Sequence, residues 1–232
     1  MTELSGRRIL VTGATGGLGS LIARELSAQG AQLVLSARSA ESLQALGLDA
    51  EMFSVDLLAA GAAQALIDAV TDAGELDGIV IAHGVVAFGP AAEISDETLT
   101  TVMTLNQTVP IQLIRAAVPA LAASRQAGNE PFILTIAGVV ADSPTAGMAV
   151  YSASKAGLNA FVSAAQRELR RVGIRVLDAR PPHTETGLAT RPIAGTAPAM
   201  PTGLTPSIVA TRIVAAIVND EKDVPTPAFL PQ

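Results

Sequence analysis

Residues 12–19 read Thr12-Gly13-Ala14-Thr15-Gly16-Gly17-Leu18-Gly19, and their reading decides the fold. They follow a short apolar run at 8–12. They open a segment with helical spacing at 17–29, where Leu18, Leu21, Ile22 and Leu26 share a face and Gly30 ends the helix. A glycine-rich turn from strand to helix lets the backbone approach a pyrophosphate, and the helix N-terminus offers free N–H groups and a positive dipole end. Gly13, Thr15, Gly17, Leu18 and Gly19 are thus candidate nucleotide contacts. No lysine follows the glycines, which excludes a Gly-Lys-Ser/Thr phosphate loop.

Working outward, strands are expected at 32–36, 50–55, 76–82, 132–136 and 174–179. Helices are expected at 40–46, 59–73, 95–123, 150–171 and 205–219, with Ser95 as an N-cap and bends at Pro110 and Pro119. Residues 224–230 suggest a short edge strand, against which Pro225 and Pro227 argue. Residues 181–206, rich in Pro, Thr and Gly, read as a mobile substrate loop carrying a short helix. Strand and helix alternate throughout, with no repeat and no linker. The expectation is an α/β protein: one Rossmann-like domain over 1–232, a doubly wound parallel sheet in a three-layer αβα arrangement.

Composition agrees. Hydrophobic residues make up 49% of the 232-residue chain but aromatics only 3%. Such a core is aliphatic, as suits helices packed on buried parallel strands. The net charge of -6 and the lack of a basic stripe argue against nucleic acid. With no cysteine and only His83 and His183, no metal site is expected. The start lacks a signal-peptide core and no apolar run spans a bilayer, so a cytoplasmic protein with no membrane partner is expected.

The end of the second strand discriminates between cofactors. An acid there would hold the ribose 2′-hydroxyl of NAD. The chain has Ser36-Ala37-Arg38-Ser39, with Ala37 at the acid's place, and Arg38 can clamp a 2′-phosphate. NADP(H) is therefore preferred over NAD(H), with Arg38 and Ser39 in contact. After the third strand, Asp56 either accepts from the adenine amino group or caps the turn that follows, with Leu57 beside it.

The single tyrosine, Tyr151, lies four residues before Lys155, one of two lysines. At that spacing on a helix the ammonium shares a face with the phenol and lowers its pKa, making Tyr151 usable as an acid or base.

Together, Thr12-Gly-x-x-x-Gly-x-Gly19 and Tyr151-x-x-x-Lys155 resemble the short-chain dehydrogenase/reductase family, with support from Asp56, Asn106 in Thr104-Leu105-Asn106, and Pro181 to Thr186. The resemblance covers nearly the whole chain. It implies that Tyr151 exchanges the proton of a carbonyl/alcohol pair while hydride passes to or from the nicotinamide. It implies that Lys155 holds the nicotinamide ribose, and that Asn106 holds a water linking Lys155 to solvent. It places Ala82, Gly84, Pro181, Thr184 and Thr186 against the cofactor. It also implies pairing of the 96–123 and 151–171 helices in a homodimer or homotetramer.

Three positions depart from the family pattern. The serine expected thirteen residues before the tyrosine is Gly138, which has no hydroxyl to polarise a substrate oxygen; Ser143 or Thr145 either replaces it or serves the turn. His83 stands where the family has alanine, facing the adenosine or packing between strand and helix. Pro181-Pro182 replaces Pro-Gly, and His183 after it is a candidate substrate contact. The expected function is an NADP(H)-dependent oxidoreductase that interconverts a carbonyl and an alcohol by hydride transfer, on a smallish, apolar substrate. The rivals are a cofactor-binding sensor or scaffold with little catalysis, and another reaction on the same scaffold.

Overall fold

A computed structural model describes residues 1–230. Six strands form one parallel sheet: β1 (Arg8–Thr12), β2 (Gln32–Ala37), β3 (Ala50–Ser54), β4 (Gly78–Ile81), β5 (Phe132–Ile136) and β6 (Arg175–Ala179). Their order is β3-β2-β1-β4-β5-β6, so the direction of winding reverses between β1 and β4. Each crossover carries a helix: α1 (Gly19–Ala28), α2 (Ala40–Gln44), α3 (Ala62–Ala73), α4 (Asp96–Met103), α5 (Val109–Gln126) and α6 (Ala149–Leu169); α7 (Pro206–Val218) follows β6.

Two hydrophobic layers sandwich the sheet. Ile9 and Val11 of β1 face α1 and α7, packing with Ile22, Leu26, Ile213 and Ile217. Leu10, between them, points to the other face with Leu66 and Ile67 of α3, Leu113 of α5, and Leu158 and Val162 of α6. Every β1 residue is buried, as a two-sided parallel sheet demands.

Three expectations change. The 95–123 helix is not continuous. Ser95 caps α4 by accepting from the Thr98 N–H at 3.1 Å. A π turn at Thr104–Thr108 then separates α4 from α5. Pro110 falls in the first turn of α5, where a missing N–H is tolerated, whereas Pro119 sits inside α5 without ending it.

Residues 224–230 add no strand. Val224 makes one parallel bridge to Ala179, after which Thr226–Phe229 close into a 3-10 turn. Pro225 and Pro227 lack the N–H groups a ladder needs. Residues 181–206 hold no helix before α7. Main-chain bridges pin this segment instead, Thr184 to Leu204 at its neck and Ala87 to Ala194 near its tip.

Candidate active site

The C-terminal edge of β1 meets the end of β4 and the segment after β6. Gly13 has φ +68°, and a Cβ built on it would lie 2.6 Å from the Cα of His83. A Cβ on Gly17 would lie 2.6 Å from Cβ of Thr186. The turn is held on both sides by main chain: Ala14 N–H donates to Ser36 at 3.1 Å and Ala82 N–H to Thr12 at 3.1 Å. No side chain caps α1, and although the Ser20 N–H donates to Gly16 at 3.0 Å, those of Leu18 and Gly19 face the turn and suit an anion. Thr15 is exposed at the rim. This turn, with a backbone bare enough for close approach, fits a dinucleotide phosphate.

Arg38 is exposed one residue past β2, its carbonyl accepting from Ser54 Oγ at 2.9 Å. Ser39 Oγ caps α2 by accepting from the Ser42 N–H at 3.1 Å. Asp56 Oδ1 accepts from the Leu58 N–H at 3.0 Å, which makes it the cap of a short turn well ahead of α3. Leu57 is buried against the core.

Tyr151 and Lys155 lie on the first turns of α6. Lys155 is buried, and its Nζ donates to the Ile136 carbonyl at 2.8 Å, 5.9 Å from the centroid of the Tyr151 ring. Burial pushes the phenol up to about 12 rather than down. Burial also lowers the ammonium to about 8, against the opposing pull of Asp178. At this phenol burial thus outweighs the depression expected from Lys155. The ammonium is bound to a β5 carbonyl, and loss of water around the phenol dominates. At neutral pH the Tyr151 phenol is protonated.

Asn106 is fully buried in the π turn. Its Nδ2 donates to the Val85 carbonyl at 2.8 Å and to Ser154 Oγ at 3.1 Å, and its Oδ1 accepts from the Val85 N–H at 2.9 Å. The side chain is therefore committed to the β4 loop and α6. A Cβ on Gly84 would lie 3.1 Å from Asn106 Oδ1 and 3.6 Å from Lys155 Nζ, so Gly84 lines this corner, while Ala82 bonds to Thr12 of β1.

Gly138 adopts φ +78°, ψ 167°, a conformation open to glycine and strained for other residues. Ser143 and Thr145 are exposed, and the Thr145 hydroxyl donates to the Ser143 carbonyl at 3.3 Å, so both serve the turn. Pro181 accepts from the Val139 N–H at 2.9 Å, and Thr184 Oγ1 donates to Pro182 at 2.9 Å. Thr186 Oγ1 accepts from the Leu188 N–H at 3.3 Å. His183 Nε2 lies 3.3 Å from Glu185 Oε1, which itself accepts from the Gly203 N–H at 2.7 Å. That places His183 at the neck of the 183–204 segment.

His83 packs between β1 and the π turn. Its Nδ1 is 2.8 Å from Thr12 Oγ1, while the buried Nε2 makes no well-formed hydrogen bond. Burial and the nearby Lys155 hold its pKa down to about 3, with the Leu105 carbonyl pulling the other way. The ring is thus neutral at pH 7.

Sequence reading missed Asp178, buried in β6 beneath Lys155, and Ser154, the partner of Asn106. An acid within the apolar run Arg175-Val-Leu-Asp-Ala179 was the available signal. Among the described residues no cluster of His, Cys, Asp and Glu could hold a metal, and no helix is long and apolar enough to cross a membrane.

Comparison with known proteins places this arrangement. A ketoacyl reductase of Nostoc sp. is 30% identical over 97% of this chain and 79% of its own. A 3-oxoacyl-acyl-carrier-protein reductase of Rickettsia conorii is 29% identical over 76% of this chain and 72% of its own. A solved metagenomic short-chain oxidoreductase in complex with NADP matches with a TM-score of 0.79 at 30% identity, covering 97% of this chain and 98% of its own. The short chain dehydrogenase model matches residues 7–194, and with the glycine turn, the Tyr151–Lys155 pair and the 3-2-1-4-5-6 sheet in place, the chain belongs to the short-chain dehydrogenase family.

Proposed function

We propose that this chain is an NADP(H)-dependent oxidoreductase that interconverts a carbonyl and an alcohol, with Tyr151 as acid and base. The observation that carries this reading is Lys155 anchored on Ile136 one helical turn from a phenol that stays protonated at neutral pH. A similar structure in complex with NADP, and Arg38 beside Ala37 where an acid would stand, support the phosphorylated cofactor. Ketoacyl reductases among the relatives put 3-oxoacyl thioesters first in a substrate panel, beside small apolar ketones.

The cofactor supplies hydride to the carbonyl carbon. Gly13, Gly17 and the α1 N-terminus would hold its phosphates, with Arg38 and Ser39 at the 2′-phosphate, Asp56 and Leu57 near the adenine, and Ala82, Gly84, Pro181, Thr184 and Thr186 along the nicotinamide half. As the substrate C=O electron pair moves to oxygen, the Tyr151 O–H breaks and its proton goes to that oxygen. The phenolate left behind is stabilised by the Lys155 ammonium. The proton returns to the phenolate from solvent through Lys155 and a water beside Asn106, whose side chain is itself engaged with Val85 and Ser154. The segment 181–206, with His183 at its neck, closes the substrate side, where Gly138 and Ser143 lie. One catalytic unit over 1–232, pairing through α5 and α6 into a dimer or tetramer, completes the reading.

A second reading, a nucleotide-binding protein with reduced catalysis, is motivated by Gly138. Loss of one oxyanion donor costs roughly 10² to 10³ in rate. The test is Tyr151→Phe with NADPH and the substrate panel. The variant is expected to bind NADPH as the wild type does and to lose about 10² to 10⁴ in kcat. Retained turnover refutes Tyr151 as the acid. Wild type that binds NADPH yet reduces nothing on the panel favours the second reading.

A further inference from the structure

One buried acid has no part in the proposed chemistry. Asp178 is 1% exposed in β6 and stands in register with Thr135 of β5. Its Oδ1 accepts from the Thr135 hydroxyl at 2.5 Å. Its Oδ2 accepts from Asn159 Nδ2 at 3.0 Å and from Arg180 at 3.4 Å. Burial raises the Asp178 pKa, and the Thr135 hydroxyl, the Asn159 amide, Arg180 and Lys155 oppose it, the donors being suited to an acceptor-only carboxylate. Asn159 lies one turn beyond Lys155 on α6, as Lys155 lies one turn beyond Tyr151, so the three form a single stripe facing the sheet. Lys155 binds the carbonyl of Ile136, the residue next to Thr135. The carboxylate therefore shares with the ammonium the seam between α6 and β5–β6, with no direct ion pair between them. Arg180 does not neutralise it alone, because its guanidinium makes two 2.8 Å bonds to Asp223 and one of 2.7 Å to Asp142.

We infer that Asp178 is a positioning residue for the proposed reaction, the buried counter-charge that keeps Lys155 an ammonium beneath Tyr151. This role rests on Tyr151 and Lys155 being the working pair. The charged and titratable groups around Lys155 are few. Tyr151 comes from α6, and Asp178, backed by Arg180, from β6. His83, neutral above about 3, comes from the end of β4. β5 and the π turn contribute only neutral groups, Thr135, the Ile136 carbonyl and Asn106. Burial drives Lys155 towards its neutral form, and Asp178 opposes it.

The chain has two lysines, Lys155 and Lys222, so lysine labelled with carbon-13 at its ε-carbon yields two resonances, and Lys222→Gln assigns them. Lys155 is expected to titrate near 8 in the wild type. In Asp178→Asn it is expected to titrate about one pH unit lower or more. The substitution keeps the shape, and the Asn159 amide turns so that its oxygen accepts. Thr135→Val, which removes a neutral donor but leaves the Asp178 charge in place, should leave the Lys155 titration near its wild-type position. In NADPH-dependent reduction by Asp178→Asn, the alkaline limb of kcat/KM should shift to lower pH by the same amount while the rate at pH 6 holds. A purely structural Asp178 would lower thermal stability and leave the Lys155 titration in place. An unshifted titration in folded Asp178→Asn or, should that variant not fold, in Asp178→Ser overturns the inference. The resonance reading needs no turnover, so an enzyme inactive on every substrate would sink the proposed reaction and leave this result standing.

Discussion

Gly17 and Thr186 are in direct contact: a side-chain carbon on the glycine would lie 2.6 Å from the threonine Cβ and 2.7 Å from its carbonyl oxygen. The phosphate turn after β1 and the segment after β6 thus close on one another at the edge where β1 and β4 part. Gly17→Ala must push these segments apart. NADPH affinity is expected to fall by about tenfold or more, an energy of about 1.4 kcal/mol, with the fold intact. Fluorescence titration with NADPH checks it, and unchanged affinity would show that the contact yields freely.

Arg38 stands exposed, one residue beyond the last residue of β2. A charge-assisted bond to a 2′-phosphate accounts for about 1.5 to 3 kcal/mol. Arg38→Ala should weaken NADP+ binding by roughly ten- to a hundredfold and leave NAD+ binding unchanged. Calorimetry with both nucleotides decides it; equal loss for both would remove Arg38 from the 2′-position.

A hydroxyl placed at position 138 should not raise activity. The nearest atom to a Cβ there is the Pro181 carbonyl oxygen at 3.8 Å, so the space is open, but φ is +78°. Gly138→Ser is expected to lose about 1 to 3 kcal/mol of stability in urea denaturation, with no gain in rate. A stable variant with faster turnover would show that the loop readjusts around the side chain.

His83 makes stability depend on acid pH. Its folded pKa of about 3 lies below the usual 6.5, so the unfolded chain binds more protons between those values. The neutral ring's contribution is full above about 6.5 and is lost as pH falls towards 3. His83→Gln should flatten the melting temperature over that window, read by thermal denaturation at stepped pH. An equally steep profile in the variant would assign the acid sensitivity elsewhere.

Much of the architecture was legible locally. Arg8–Thr12 and Phe132–Ile136 match their expected bounds because buried parallel strands are unbroken apolar runs between turns. The Pro residues at 225 and 227 argued against a strand, and the absence of their N–H groups is what the fold obeys. The split at Thr104–Thr108 was less legible, since a π turn leaves no periodicity of its own. Pro110 marked the place without naming the geometry.

The candidate site divides the same way. The glycine turn, Tyr151 and Lys155 follow from spacing, because a strand-turn-helix and one helical turn are short-range geometries written in consecutive residues. Spacing could not say that Lys155 would bind Ile136, that burial would raise the phenol, or that Asp178 and Asn159 would meet beneath the pair. Those depend on which strands lie side by side and on how much water the packed layers exclude. Sequence alone therefore determined the elements and the chemically capable residues. The tertiary structure decided their charge states and partners, because desolvation and contacts between segments far apart in the chain exist only once the sheet and helices are assembled.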